Sequence, residues 1–101
     1  MLNILGDIMK EIEKDFNGIW IPKEIWLLKE ISLIEKCLLI EIHSLDDEKG
    51  CSASNKYFAD FLGISEIAVS NHIKKLKELG YIKQIGFNGR QRILKSCLSF
   101  S

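Results

Sequence analysis

Gly63-Ile64-Ser65 is the most restrictive stretch in this chain of 101 residues. It lies between two segments of helical periodicity, Asn55 to Leu62 and Glu66 to Leu79, and leaves three residues to turn from one into the other. Each segment follows a serine, Ser54 or Ser65, whose hydroxyl can accept an orphan amide at a helix start. Ala59 is small where the second helix must pass closely, and Gly63 can take the positive φ that so short a turn requires. Val69 and Ile73 are spaced to pack back onto the first helix. Gly80 stands where glycine favours ending the second. Tyr81 to Ile85 and Arg90 to Lys95 then alternate, and Gly86-Phe87-Asn88-Gly89 joins them, which predicts a β-hairpin with an Asn-Gly turn at its tip.

The remaining chain supplies a core for this unit. Ser32 and Glu35 form a capping box, in which hydroxyl and carboxylate satisfy orphan amides reciprocally, and it opens a central helix from Leu33 to Leu45. Pro22 suits the first position of a brief helix over Lys23 to Lys29. Leu5, Ile8, Met9, Ile12 and Phe16 mark an amphipathic helix that ends at Asn17-Gly18. That helix is expected either to join two copies into a homodimer or to cover the domain's own core. Asp46-Asp47-Glu48-Lys49-Gly50 reads as a solvated turn, because it lacks the alternating oxygen ligands of a calcium loop. Trp20 and Trp26 read as core anchors rather than stacking platforms, since no basic residues interleave with them.

Composition narrows the class. A hydrophobic fraction of 47% and a charged fraction of 28% fit one globular domain and no second. No apolar run is long enough for a membrane span or a signal peptide. The formal charge is zero, yet residues 66–101 carry seven basic and two acidic side chains, net +5, against net −5 for residues 1–65. So polarised a chain offers a basic end to a polyanion. The three cysteines form no CxxC pair, and neither His43 nor His72 stands at ligand spacing from them. They read as reduced, cytosolic thiols, with Cys37 in the core and no metal site. His72 flanks the core face and reads as structural. No nucleophile elbow, phosphate-cradling loop or metal pair frames the Ser, His and Asp present, so no enzyme, catalytic residue, cofactor or small-molecule ligand is expected.

Ala59, Gly63, Val69 and Ile73 resemble the helix-turn-helix pattern, and the following hairpin extends the resemblance to a winged helix. The fold expected is therefore mainly α with a small β-hairpin, a single winged helix-turn-helix domain over 1–101. Three further runs, Ile21 to Trp26, Leu33 to Lys36 and Gly50 to Ala59, resemble the N-terminal winged-helix domains of phage and plasmid replication initiators from low-GC Gram-positive bacteria. That resemblance implies a DNA-binding replication function, with Ser54-Asn55-Lys56 opening the helix that crosses the DNA backbone.

On a helical wheel, Val69, Ile73 and Leu76 share the inward face, while Ile67, Ser70, Asn71 and Lys74 point away. In a major groove Asn71 can bond bidentately to adenine and Ile67 can touch a thymine methyl. Asn71 could equally be solvated, and Ile67 could pack under the first helix. Lys74 and Lys75 suit phosphates, as do Ser54, Lys56 and Ser65 at the two helix N-termini. Glu66 suits the helix dipole or a cytosine amino group. Alternation puts Arg90 and Arg92 on one face of the hairpin, opposite Ile93, to reach a phosphate backbone or minor groove, or to guard an edge strand.

The partner expected is double-stranded DNA, bound through roughly 4–6 phosphates with a log–log salt slope near −4 to −5. Replication initiation is the first function expected, a transcriptional regulator with the same surface the alternative, and a winged helix for protein contact without DNA the alternative from another class.

Overall fold

The computed structural model describes residues 19–99 of the chain. The amphipathic 1–17 stretch, with the homodimer expectation attached to it, lies outside the described residues. The element order is α1 (Lys23–Trp26), α2 (Leu33–Leu45), α3 (Asn55–Leu62), α4 (Glu66–Glu78), β1 (Ile82–Phe87) and β2 (Arg92–Ser96). The fold is a mostly helical winged helix, three longer helices around one core with an antiparallel hairpin against them.

The helix starts follow the side chains that cap them. Ser32 accepts from the Glu35 amide at 3.2 Å and Glu35 Oε1 accepts from the Ser32 amide at 2.8 Å, which completes the capping box of α2. Ser54 Oγ accepts from the Tyr57 amide, and Ser65 Oγ from the Ala68 amide, each at 3.0 Å. α1 is shorter than expected. Pro22 stands one position before it as N-cap, its carbonyl taking the Ile25 and Trp26 amides, and the helix stops at Trp26.

The turn between α3 and α4 is tight because Gly63 sits at φ 70°, ψ 34°, with its amide and that of Ile64 both donating to the Ala59 carbonyl. Nothing lies within 4 Å of where a Cβ would be, so glycine is needed there for its backbone angle and not for space. Ala59 is buried under this turn, and Phe58, Val69, Ile73 and Leu76 close the space between the helices together with Leu38, Leu39 and Ile42 of α2.

Several sequence expectations change here. The core cysteine is Cys51, fully buried, whereas Cys37 is half-buried. Burial pushes both thiols up. Cys51 also exchanges backbone hydrogen bonds with Leu94 at 2.7 and 2.8 Å, a rung that fastens β2 to the segment leading into α3. Trp20 and Trp26 are not core anchors: they are 76% and 55% exposed, and the buried hydrophobics of this region are Ile25 and Ile31. Lys36 Nζ lies 5.4 Å from the Trp26 ring centroid and donates to its carbonyl. The acidic turn is only partly solvated. Asp46 accepts from the Ser96 amide at 2.9 Å and from Lys95 at 3.3 Å, tying the end of α2 to β2.

The hairpin is shifted from its expected bounds. Phe87 pairs with Arg92, and a bulge at Ile85 separates the Gln84–Leu94 and Gly86–Ile93 pairs. The tip is Asn88 to Gln91, so Gly89-Arg90 rather than Asn88-Gly89 lies at its centre. The Asn88 amide donates to the Gln91 carbonyl, while Asn88 Oδ1 accepts from the Arg90 and Gln91 amides.

Candidate nucleic-acid interface

The candidate surface is built on α4, whose buried stripe of Val69, Ile73 and Leu76 forces the opposite stripe outward. Ile67, Ser70, Asn71 and Lys74 are all exposed on that stripe. Ile67 is 76% exposed, so it does not pack under α3. An isoleucine this open on a capped helix gives an apolar contact among polar ones, the mixture a major groove presents with thymine methyls among donors and acceptors. Lys74 makes no ion pair among the described residues.

The N-termini of α3 and α4 lie at the edge of this surface. Ser54 and Ser65 each spend an oxygen lone pair on the cap, which leaves the hydroxyl hydrogen to donate. Glu66 is exposed in the first turn of α4, where a carboxylate suits the helix dipole. Lys56 pairs with Asp60 at 2.9 Å, both largely exposed, a pair worth little against a phosphate.

Lys75 has a different role from Lys74. Its Nζ donates to Glu35 Oε1 at 2.9 Å, and His72 Nδ1 lies 2.8 Å from Glu35 Oε2. Glu35 is 3% exposed. Burial pushes its carboxyl up, but the Ser32 amide, Lys75 and His72 outweigh burial and hold it down at about 2. An ionised carboxylate only accepts, so His72 Nδ1 carries the hydrogen in this bond. Glu35 therefore joins the start of α2 to the flank of α4 and draws Lys75 away from the outward stripe.

The wing also separates two residues expected to act alike. Arg90 is exposed at the tip. Arg92 is half-buried: Nη1 donates to the Ala53 carbonyl at 2.5 Å and Nη2 to Asn55 Oδ1 at 2.8 Å. Strand alternation cannot place them on one face, because Arg90 belongs to the turn and only Arg92 to β2. Ser54, Asn55, Lys56, Glu66, Gln84, Phe87 and Arg90 ring a cleft between wing and helix pair, with Arg92 at its wall.

The structure thus brings Ser54, Lys56, Ser65, Glu66, Ile67, Ser70, Asn71, Lys74 and Arg90 to accessible positions along the helix pair and wing tip, while Lys75, itself exposed, is paired with Glu35 and Arg92 is half-buried against Ala53 and Asn55. Asn55 enters the sequence reading only through the initiator resemblance and Glu35 only as a capping residue; the contacts of Asn55 with Arg92 and of Glu35 with His72 and Lys75 have no counterpart there. The i,i+3 spacing of His72 and Lys75 was a signal for a shared anion on the flank of α4; nothing local names Glu35 as that anion.

Residues 29–82 match the family described as a helix-turn-helix domain, more than half of the chain. No curated protein sequence matches significantly. Among solved structures, wild-type ZitR of Lactococcus lactis in complex with DNA is similar at 25% identity and a TM-score of 0.53 over 92% of this chain. Its C30AH42A mutant is similar at 22% identity and a TM-score of 0.55, also over 92% of the chain. The chain spans 60% of the length of each. With the capped helix pair and the three-residue turn in place over the matched segment, and the hairpin following it, the chain belongs to the helix-turn-helix domain family.

Proposed function

We propose that this chain binds double-stranded DNA, with α4 in the major groove and the wing tip on the adjacent backbone, and that it does so as a transcriptional regulator. The observation that carries the reading is the outward stripe of α4: Ile67, Ser70, Asn71 and Lys74 all stand exposed, directly opposite the residues that fix the helix to the core. Asn71 is the base-reading residue, suited to adenine, and Ile67 meets a thymine methyl. Lys74 and Arg90 neutralise phosphates and set register, assisted by Ser54 and Ser65 at the helix starts. The likeness to DNA-bound ZitR supports this mode, and the regulator-like fold favours transcriptional use.

Replication initiation is the second reading, favoured by the run from Gly50 to Ala59 that resembles initiator domains. Both uses need the same surface. With Lys75 paired to Glu35 and Arg92 hydrogen-bonded to Ala53 and Asn55, each module reaches about three or four phosphates, which gives a log–log salt slope near −3 and not the −4 to −5 of a fully free set.

Selection of bound duplexes from a random pool by the purified protein tests the proposal. An enriched motif is the expected result, with a palindrome supporting regulation and tandem direct repeats supporting initiation. A pool that shows no enrichment, with binding insensitive to salt, would refute it and point to a protein partner.

A further inference from the structure

The two wing arginines are chemically identical and two residues apart, yet only one is turned outward. Arg92 opens β2, directly across from Phe87, and its guanidinium reaches back over the hairpin to the segment that starts α3. There it meets two acceptors of different kinds, the Ala53 backbone carbonyl at 2.5 Å and the Asn55 side-chain oxygen at 2.8 Å. Ala53 and Asn55 flank Ser54, the N-cap of α3, so the contact lands on the first turn of the helix pair. A planar fork with two donors aimed at two acceptors fixes an angle as well as a distance, which a single ammonium does not.

The hairpin has a second attachment on the same side. Cys51 and Leu94 exchange backbone hydrogen bonds, which holds the middle of β2 but leaves the part nearest the tip to other contacts. At that end of β2 stands Arg92. Beyond it, the tip is closed by the hydrogen bonds of Asn88 with residues 90 and 91, and Arg90 is exposed there.

We propose that Arg92 is a positioning residue: forked between Ala53 and Asn55, it sets the wing at a fixed angle to the helix pair and so places Arg90 on the phosphate backbone when α4 occupies its groove. The inference rests on the DNA-binding reading given above and adds to it the device that couples wing and recognition helix. Asn55 takes part as the acceptor that chooses this angle, without touching DNA. Arg92 being half-buried, with its charge drawn toward a carbonyl, it does not act as a phosphate contact of its own.

Three variants, Arg92→Lys, Asn55→Ala and Arg90→Ala, test this alone and in pairs with Arg92→Lys, after thermal unfolding has shown each to be folded. Lysine keeps the charge and loses the fork. In the free protein, backbone 15N relaxation of residues 88–91 reads the clamp without DNA, and the account expects greater mobility there in Arg92→Lys and in Asn55→Ala. On the selected duplex, Arg92→Lys loses affinity on the order of tenfold, the size of one charge-assisted contact. Adding Arg90→Ala to it changes nothing further, because the tip contact is already gone. If Arg92→Lys binds as wild type, or if the Arg90 and Arg92 losses multiply, Arg92 is not a clamp and the proposal is overturned. If the wild-type protein binds no duplex but the tip loosens in the variants, the clamp stands and the DNA-binding reading falls. If the protein binds and the tip dynamics are unchanged, the clamp falls and the reading stands.

Discussion

Lys75 Nζ lies 2.9 Å from a carboxylate oxygen of Glu35, a side chain buried at the start of α2, while the adjacent Lys74 stands on the open face of α4. One step in sequence thus separates a residue that holds α4 to α2 from one on its open face.

That division predicts opposite effects for two alanine substitutions. Lys74→Ala weakens binding to every duplex alike and lowers the magnitude of the log–log salt slope by about 0.9, the loss of one phosphate. Lys75→Ala leaves the slope unchanged and destabilises the fold by about 1 kcal/mol, a figure kept small because the lysine is partly exposed. Fluorescence anisotropy across a salt series and urea unfolding measure the two effects.

Glu35 gives the fold an acid limit. Its carboxyl is held at about 2 against an ordinary 4.5, so the folded state favours the ionised form. The resulting stability is complete above the unfolded value and disappears as pH falls from 4.5 through about 2. Glu35→Gln is expected to lower stability by about 2 kcal/mol at pH 7 and to flatten the fall across that window. Denaturant midpoints of both proteins at pH 7, 4 and 3 provide the comparison; a parallel fall in the two would count against Glu35 as the group responsible.

Gly50 and Gly63, two of the glycines at positive φ, are not equivalent. Gly63 needs only its φ of 70°, so Gly63→Ala costs about 1 kcal/mol. At Gly50, φ is 90° and a Cβ would come within 2.6 Å of Ile93 Cγ2 and 3.1 Å of the Leu94 carbonyl. Gly50→Ala therefore adds overpacking to backbone strain and costs about 2–3 kcal/mol. Thermal unfolding should rank them in that order.

Both tyrosines donate to carboxylates, Tyr57 to Glu41 at 2.6 Å and Tyr81 to Glu30. The hydrogen bond to the carboxylate pushes each phenol up to about 12. Folding thus favours the protonated phenols, a contribution present below pH 10 and lost as pH rises from 10 through about 12. Ultraviolet titration should show both phenolates forming near 12 in the folded protein and near 10 in denaturant. A phenol that ionises near 10 while the protein is folded would contradict its carboxylate partner.

The parts of the fold visible in the sequence were those set by local chemistry. Ser32, Ser54 and Ser65 mark helix starts because a cap is satisfied within three residues, and the inward stripe of α4 follows from helical spacing alone. What escaped was decided between distant segments. Whether Lys75 and Arg92 are already paired within the fold depends on Glu35 and Asn55, forty and thirty-seven positions away. Trp20 and Trp26 are apolar enough for a core, but the buried positions of this region go to Ile25 and Ile31, a choice that composition does not make. The bulge at Ile85 shifted the turn centre, which strand alternation has no means to register.

Asn71 carries the central claim, that the open face of α4 reads base edges. Anisotropy titrations of wild type and Asn71→Ala, on the selected duplex and on a scrambled one, test it at a single residue. The account predicts a loss on the order of tenfold or more on the selected duplex and none on the scrambled one, the signature of one lost bidentate base contact. Equal losses on both duplexes, or no loss on either, would contradict it.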